Sequence, residues 1–339
     1  MRGDAVLSVA STTRPRAVAR IALACFCLLA FGANVRAEEP YPSKPIRLIL
    51  PQPAGGAVDL IARALGDRLS ESMRQPVIVE NMPGANGGLA AGQVARATPD
   101  GHTLFMAVDT NLVVNPSLYP NLAYDPFRDF IPISIIAKVY LVLAASPKVE
   151  INSVQELLAF ARANPGKLNY ASIGLGTQAH LGMELLKMMT KTDITQVSYR
   201  GTAPAMTDIA AGVVEVMFTG PPSALALAAG GKVKILAVAS PTRSQLMPQV
   251  PTVQEAGVPG YELSGWFGLL APAKTPQSVI DRLSSEVKKA VADARLKDRL
   301  TEQGLEIFGS TSAEMLAVMT ADTKKWSEVI AATGAKIPQ

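Results

Sequence analysis

Cysteine is missing from everything beyond position 27, and the 339 residues hold two histidines and two tryptophans. Cys25 and Cys27 both fall in an N-terminal apolar run. A chain that loses that run can form neither a disulfide nor a thiolate metal site, so its fold rests on an ordinary core. His102 and His180 stand 78 residues apart, which leaves an imidazole metal site little to build on. There is no GxSxG elbow, and without it or a cysteine an exported hydrolase or transferase lacks a nucleophile with a positioned base. Long apolar runs are scarce as well. The run 21–33 is 13 residues long, and no later segment approaches the roughly 20 needed to cross a bilayer.

What stands at the N-terminus is an export pattern. Arg14, Arg16 and Arg20 precede IALACFCLLAFGA (21–33), and Val35-Arg36-Ala37 puts small residues at the two positions a signal peptidase reads. The expectation is a signal peptide over 1–37, cleaved after Ala37; an uncleaved anchor and a lipoprotein at Cys25 are the alternatives. Taking 37 residues from 339 leaves 302, and the removed segment holds five arginines against Asp4, which leaves 27 basic and 27 acidic residues. The formal +4 of the whole chain therefore belongs to the export segment. No basic stripe survives for a phosphate backbone, which excludes a nucleic-acid partner. Any anion this protein holds must be held by local dipoles.

Such dipoles have a place to arise. Three times an apolar strand runs into a small-residue turn that opens a helix: IRLIL into PQPAGGAVD (46–59), LNYAS into IGLGTQAH (168–180), and VEVMF into TGPPSA (214–224). Backbone N–H groups free at a helix start meet anions, so a pair of such turns can hold a carboxylate. Strands expected at 46–50, 77–80, 104–108, 139–145, 168–172, 194–199, 214–218 and 235–239 alternate with helices. Those are expected after 57 and at 153–164, 179–190, 204–212, 276–291 and 312–331, which together give an α/β fold with mostly parallel sheets. Val58, Ile61, Ala62, Leu65 and Leu69 make one buried face. Ser153 with Glu156 reads as a capping box, and Thr275-Pro276 as a cap followed by a first-turn proline.

The length favours two domains. The stretch 131–146 is too long for one ordinary strand, and 261–274 is extended and ends at prolines. A chain that crosses between lobes and returns makes a two-stranded hinge, with the ligand between the lobes at the carboxyl ends of the strands. The expected division is 38–138 plus 267–339 for one lobe and 139–266 for the other.

In order along the chain, PSKPIRLILPQPAGGAVDLIARAL, VIVENMPGANGGLAA, ATPDGHTLFMA, GLGTQAHLGMELL, VSYRGTAPAMTDIAAGVVEVMF, KILAVAS, VPTVQEAG and SGWFGLLAPAKTP resemble the extracytoplasmic solute receptors of tripartite tricarboxylate transporters, the Bug proteins. The resemblance covers essentially the whole chain after the signal. It implies a two-lobed periplasmic-binding-protein-like fold (type II) with two hinge strands. Such a receptor is monomeric, has no cofactor or catalytic role, clasps a small carboxylate and presents it to a membrane permease. Di- and tricarboxylates, acidic amino acids and aromatic acids are the family's ligands. A sensory adaptor that reports the same ligand to a membrane kinase is the alternative role.

Carried over by motif, the first carboxylate-holding turn is Pro53-Ala54-Gly55-Gly56-Ala57. Asp59 stands in the first helical turn, where it either serves the dipole or meets a ligand amine or bridging water. The second turn is Gly174, Gly176, Thr177, Gln178 and His180. Thr177 is expected to donate from amide and hydroxyl alike, whereas His180 is either a ligand contact or a support for neighbouring backbone. A third turn follows Tyr199, with Arg200, Gly201, Thr202, Ala203 and Pro204 and then Asp208, which holds the turn or receives a polar ligand group. Thr219 and Gly220 complete the floor. Gln52 takes a position that is aromatic or a small hydroxyl in many relatives, and it either tunes specificity or sits exposed. Tyr261 and Trp266 read as hinge packing.

Overall fold

The computed structural model describes residues 41–333; the signal expected at 1–37 lies outside them. β1 (Ile46–Leu50) carries four buried aliphatic residues and one exposed Arg47, the near-continuous apolar run of a strand covered on both faces. The chain then enters α1 (Ala57–Met73), whose Val58, Ile61, Ala62, Leu65 and Leu69 are all buried. The expected apolar stripe is thus the face that packs inward. Arg74 ends the helix in the left-handed region. β2 (Val77–Asn81) returns parallel to β1, followed by α2 (Gly88–Ala95), β3 (Thr103–Val108), α3 (Asp109–Val113) and α4 (Asn115–Leu118).

Two strands in different sheets account for the long apolar stretch after 130. β4 (Phe130–Tyr140) lies in the first sheet and β5 (Val142–Ala145) in a second, with Leu141 alone between them. The single strand expected at 139–145 is therefore divided. The second sheet is then built by α5 (Val154–Ala163), β6 (Asn169–Ser172), α6 (Gln178–Thr190), β7 (Thr195–Ser198), α7 (Thr202–Ala211), β8 (Val216–Thr219), α8 (Pro221–Ala228) and β9 (Lys234–Val238). The chain returns through 239–263 to β10 (Ser264–Pro272), which lies between β3 and β4, antiparallel to both. What the sequence offered as an extended connection is a central strand. α9 (Gln277–Val291), α10 (Ala294–Thr301), β11 (Leu305–Ile307) and α11 (Ser312–Thr333) complete the described chain.

The strand orders are β11-β4-β10-β3-β1-β2 and β7-β6-β8-β5-β9. β1, β2 and β3 are parallel, as are β6, β7 and β8. The turns after β1 and β3 therefore leave one end of the first sheet, and those after β6, β7 and β8 leave one end of the second. The crossings touch each other. Ala239 N–H donates to the Leu141 carbonyl at 2.8 Å, and Leu263 N–H to the Ala239 carbonyl at 3.0 Å. We propose that each sheet with its helices is one lobe, divided at Leu141 and within 239–263.

α11 packs on β4, α3 and α4 in the first lobe and on α6 in the second. Its Met315, Met319 and Trp326 share one buried cluster with Ile135 and Leu270. Ser153 caps α5 by accepting from the Glu156 amide at 3.1 Å, while the Glu156 carboxylate accepts from the Asn152 amide. Thr275 is not a cap: α9 starts after Pro276, and the Thr275 hydroxyl donates back to the Pro272 carbonyl at 2.8 Å.

Candidate functional site

Gln52, Pro53, Ala54 and Gly55 are exposed in the turn that leaves β1. Gly55 has φ +90, a conformation that favours glycine. The N-cap of α1 is Gly56, which supplies no side-chain acceptor. The amides of Gly56, Ala57 and Val58 have no partner among the described residues. Asp59 is 5 % exposed and holds this turn from below. Its carboxylate accepts from the Gly55 amide at 3.0 Å, from Asn81 Nδ2 at 3.1 Å and from both Nε and Nη2 of Arg63. The Arg63 guanidinium keeps Asp59 below the usual carboxylate range. Asn81 also donates to the Gln52 carbonyl at 3.0 Å. These bonds tie Asp59 to the turn, to Asn81 and to Arg63.

The second turn is organised the same way from different parts. His180 is buried, which pushes its imidazole pKa down, and its Nδ1 accepts from the Gly176 amide at 3.3 Å. The support reading of His180 is the one the geometry carries. Thr177 is the N-cap of α6, accepting from the His180 amide at 3.4 Å and donating its own hydroxyl proton to the Gly174 carbonyl at 2.8 Å. The hydroxyl expected to reach outward is thus committed within the turn. The amides of Thr177, Gln178 and Ala179 remain without partners among the described residues.

This second turn is pressed onto the first lobe. Gly176 has φ +73, and a methyl in place of its hydrogen would overlap Leu118. Gln178 Nε2 donates to Asp109 Oδ2 at 3.1 Å, across from the carboxyl end of β3. A methyl on Gly265 of β10 would overlap the same amide, so Gln178 lies between Asp109 and the returning hinge strand. Its side chain bridges lobes and is not free in the cleft. Asp109 is 2 % exposed, and burial pushes its carboxyl up to about 7. Asp322 on α11 adds to the rise, while Gln178, the Thr110 amide and Lys325 oppose it. Asp109 carries little signal in the sequence beyond being an acid directly after a buried strand.

The third turn presents Gly201 at φ +156 as an uncapped helix start, with exposed Ala203 and Pro204. Arg200 is exposed and has no ion pair among the described residues. Asp208 accepts from the Tyr199 hydroxyl at 2.8 Å, so it steadies the strand end before the turn. The turn at 219–222 differs in kind. Pro221 and Pro222 open α8 and have no N–H to offer. Thr219 is buried at the end of β8, its hydroxyl without a hydrogen bond among the described residues.

Tyr261 and Trp266 are fully buried. Tyr261 donates to the Gly182 carbonyl at 2.8 Å and stacks on Phe218 at 5.7 Å, and Trp266 Nε1 donates to Asp322 at 2.8 Å. Both are packing groups of the return crossing. Among the described residues no cluster of three His, Cys, Asp or Glu is placed to hold a metal, and no helix is long and apolar enough to cross a membrane.

Against known proteins, residues 61–335 match the model of the tripartite tricarboxylate transporter family receptor. Protein BugT of Bordetella pertussis is 34 % identical over 300 residues, spanning 88 % of this chain and 92 % of that protein. Among solved structures, R. palustris Rpa4515 with adipate is 33 % identical with a TM-score of 0.76, covering 88 % of this chain and all of that one. MatC from Rhodopseudomonas palustris with bound malate is 30 % identical with a TM-score of 0.72, covering 86 % of this chain and all of that one.

Proposed function

Because the chain belongs to the tripartite tricarboxylate transporter receptor family, we propose that it captures a small organic carboxylate between its two lobes and hands it to a tripartite tricarboxylate-type membrane permease. It is a solute-binding receptor of periplasmic type and not an enzyme. The export signal, cleaved after Ala37, and a monomeric working state are parts of the same proposal.

The observation that carries this reading is the pair of helix starts whose amides have no partner among the described residues, at 56–58 and 177–179. Each gathers several N–H dipoles around one point, and an anion there needs no side-chain charge. Arg200 supplies one cation for a second carboxylate, and two of the similar structures hold adipate and malate. A dicarboxylate therefore fits this inventory better than a tricarboxylate. Supporting residues for the turns are Asp59, His180 and Asp208; the contacts come from the backbone of Gly56, Ala57, Thr177, Gln178, Gly201 and Ala203, and from Arg200. Closure then makes ligand contacts available in one lobe arrangement only, which converts binding into a signal for the permease.

Equilibrium titration with a panel of di- and tricarboxylates, acidic amino acids and aromatic acids tests it. The expected result is micromolar or tighter binding of one class, about −8 kcal/mol or more, with the same acid found by mass spectrometry in the freshly purified protein. A panel in which no acid shifts the melting temperature or the tryptophan fluorescence would end the proposal.

A further inference from the structure

A cavity of about 450 Å³ lies on the other flank of the hinge. The strand orders fix which flank. In the first sheet β1, which leads into the first glycine turn, and β3 stand on one side of the crossing strands β4 and β10, and β11 stands on the other. In the second sheet β6 and β7 stand on one side of β5, and β9 on the other. The cavity is walled by β11 and α10 of the first lobe and by the end of β9 with the loop 240–247 of the second, with Tyr140 and Val142 at its back. It is therefore a second crevice, on the far side of the hinge from the turns at 53–57 and 174–178, and it reaches Pro221 at the start of α8.

Its size falls in the range of small-molecule sites, and its chemistry is divided. Val142, Val238, Leu305 and Met247 are buried apolar walls. Two cations lie on the rim. Arg243 is already paired with Glu255 at 2.9 Å, whereas Lys297 is exposed and has no ion pair or hydrogen bond from its ammonium among the described residues. Glu306 is the only carboxylate in the lining. The Tyr140 hydroxyl makes no hydrogen bond among the described residues, and burial together with Glu306 and Glu262 pushes its ionisation up to about 12, so it stays a donor.

We propose that this crevice is a second binding site, for a small organic anion with an apolar body, its acid group toward Lys297 and Tyr140 and its body on Val142, Val238, Leu305 and Met247. Because its two walls belong to different lobes, the site's width follows the lobe angle. Where the cleft binds carboxylate as proposed above, the two sites are linked, and each ligand changes the other's affinity by the same factor.

Anilinonaphthalene sulfonate is a suitable probe, since it is an apolar-bodied monoanion whose fluorescence rises in apolar surroundings. The full chain should bind it saturably at one site. Lys297→Glu, an exposed change that leaves the melting temperature in place, should weaken it about tenfold, the loss of a charge-assisted contact. Thr301→Phe, which fills the crevice from α10, should abolish it. Fluorescence that survives both changes, or that small carboxylates displace while Lys297→Glu leaves it untouched, would overturn the proposal. If the probe obeys the expected pattern while no carboxylate of the panel binds, the second site stands and the cleft reading falls.

Discussion

Gln178 Nε2 lies 3.1 Å from Asp109 Oδ2, and this bond joins the first residue of α6 to the first residue of α3 across the two lobes. Gly265 leaves the room that the Gln178 amide occupies. The turn at 174–178 is therefore seated against the part of the chain that carries the turn at 53–57. Where the lobes close on a carboxylate as proposed, removal of this bond should act on release more than on capture.

Gln178→Ala should leave the unfolding free energy within about 1–2 kcal/mol of wild type, since one buried carboxylate loses one donor. Carboxylate affinity should fall about five- to thirtyfold, mainly through faster release. Stopped-flow dissociation of the acid that the panel identifies, compared between the two proteins, measures it.

Asp109→Asn isolates a pH effect. The Asp109 carboxyl titrates near 7 in the fold against an ordinary 3.8, so folding favours its protonated form. Its contribution is fully present below about pH 4 and is lost as pH rises through 7, on the order of 1 kcal/mol per pH unit between. The asparagine variant does not titrate but still accepts from Gln178. The melting temperature of the variant minus that of wild type should therefore climb from pH 5 to pH 8, and a flat difference would contradict the buried titration.

Gly176→Ala combines a left-handed backbone with a collision against Leu118. Gly257 has φ +98 with open space around it, so Gly257→Ala carries the backbone strain alone, about 1–3 kcal/mol. Both variants should be destabilised. Only Gly176→Ala should lose carboxylate affinity, more than tenfold, because the second turn can no longer seat on α4; isothermal titration of the two side by side decides it.

Asp59→Ala removes the acceptor of the Gly55 amide and the partner of Arg63. It should cost about 1–3 kcal/mol of stability and weaken every acid of the panel to a similar degree, because the turn that loosens holds the carboxylate whatever its skeleton. Loss confined to amine-bearing ligands would instead make Asp59 a direct contact.

Much of this was legible from local pattern. β1, the α1 stripe, the glycine turns and the need for two crossings all follow from hydrophobic spacing and from glycine placement, which act over a few residues. The pairing partners did not follow. Nothing local says that 264–272 slots between β3 and β4, or that Leu141 alone separates two sheets, since both are decided by contacts far apart in sequence. Side-chain roles failed for the same reason. Thr177 reads as an outward donor until the Gly174 carbonyl is seen to take its proton, and Gln178 reads as a cleft residue until Asp109, 69 positions earlier, takes its amide. The turn into α8 reads as offering free amides like the others, but Pro221 and Pro222 have none to offer, which sets it apart from the other three helix starts.

The place of β10 bears on how the chain reaches this state. All five strands of the second sheet come from 142–238 without interruption, so that half is assembled from nearby partners. The first sheet has to wait for Ser264–Pro272, which arrives after the whole of the other lobe and fills the gap between two strands already made. Until then β3 and β4 present bare edges to the surroundings, the kind of edge that recruits other chains. Refolding should therefore proceed lobe by lobe, the second ahead of the first, with the slow step and the aggregation hazard both lying in the interval before the strand from the far end of the chain inserts.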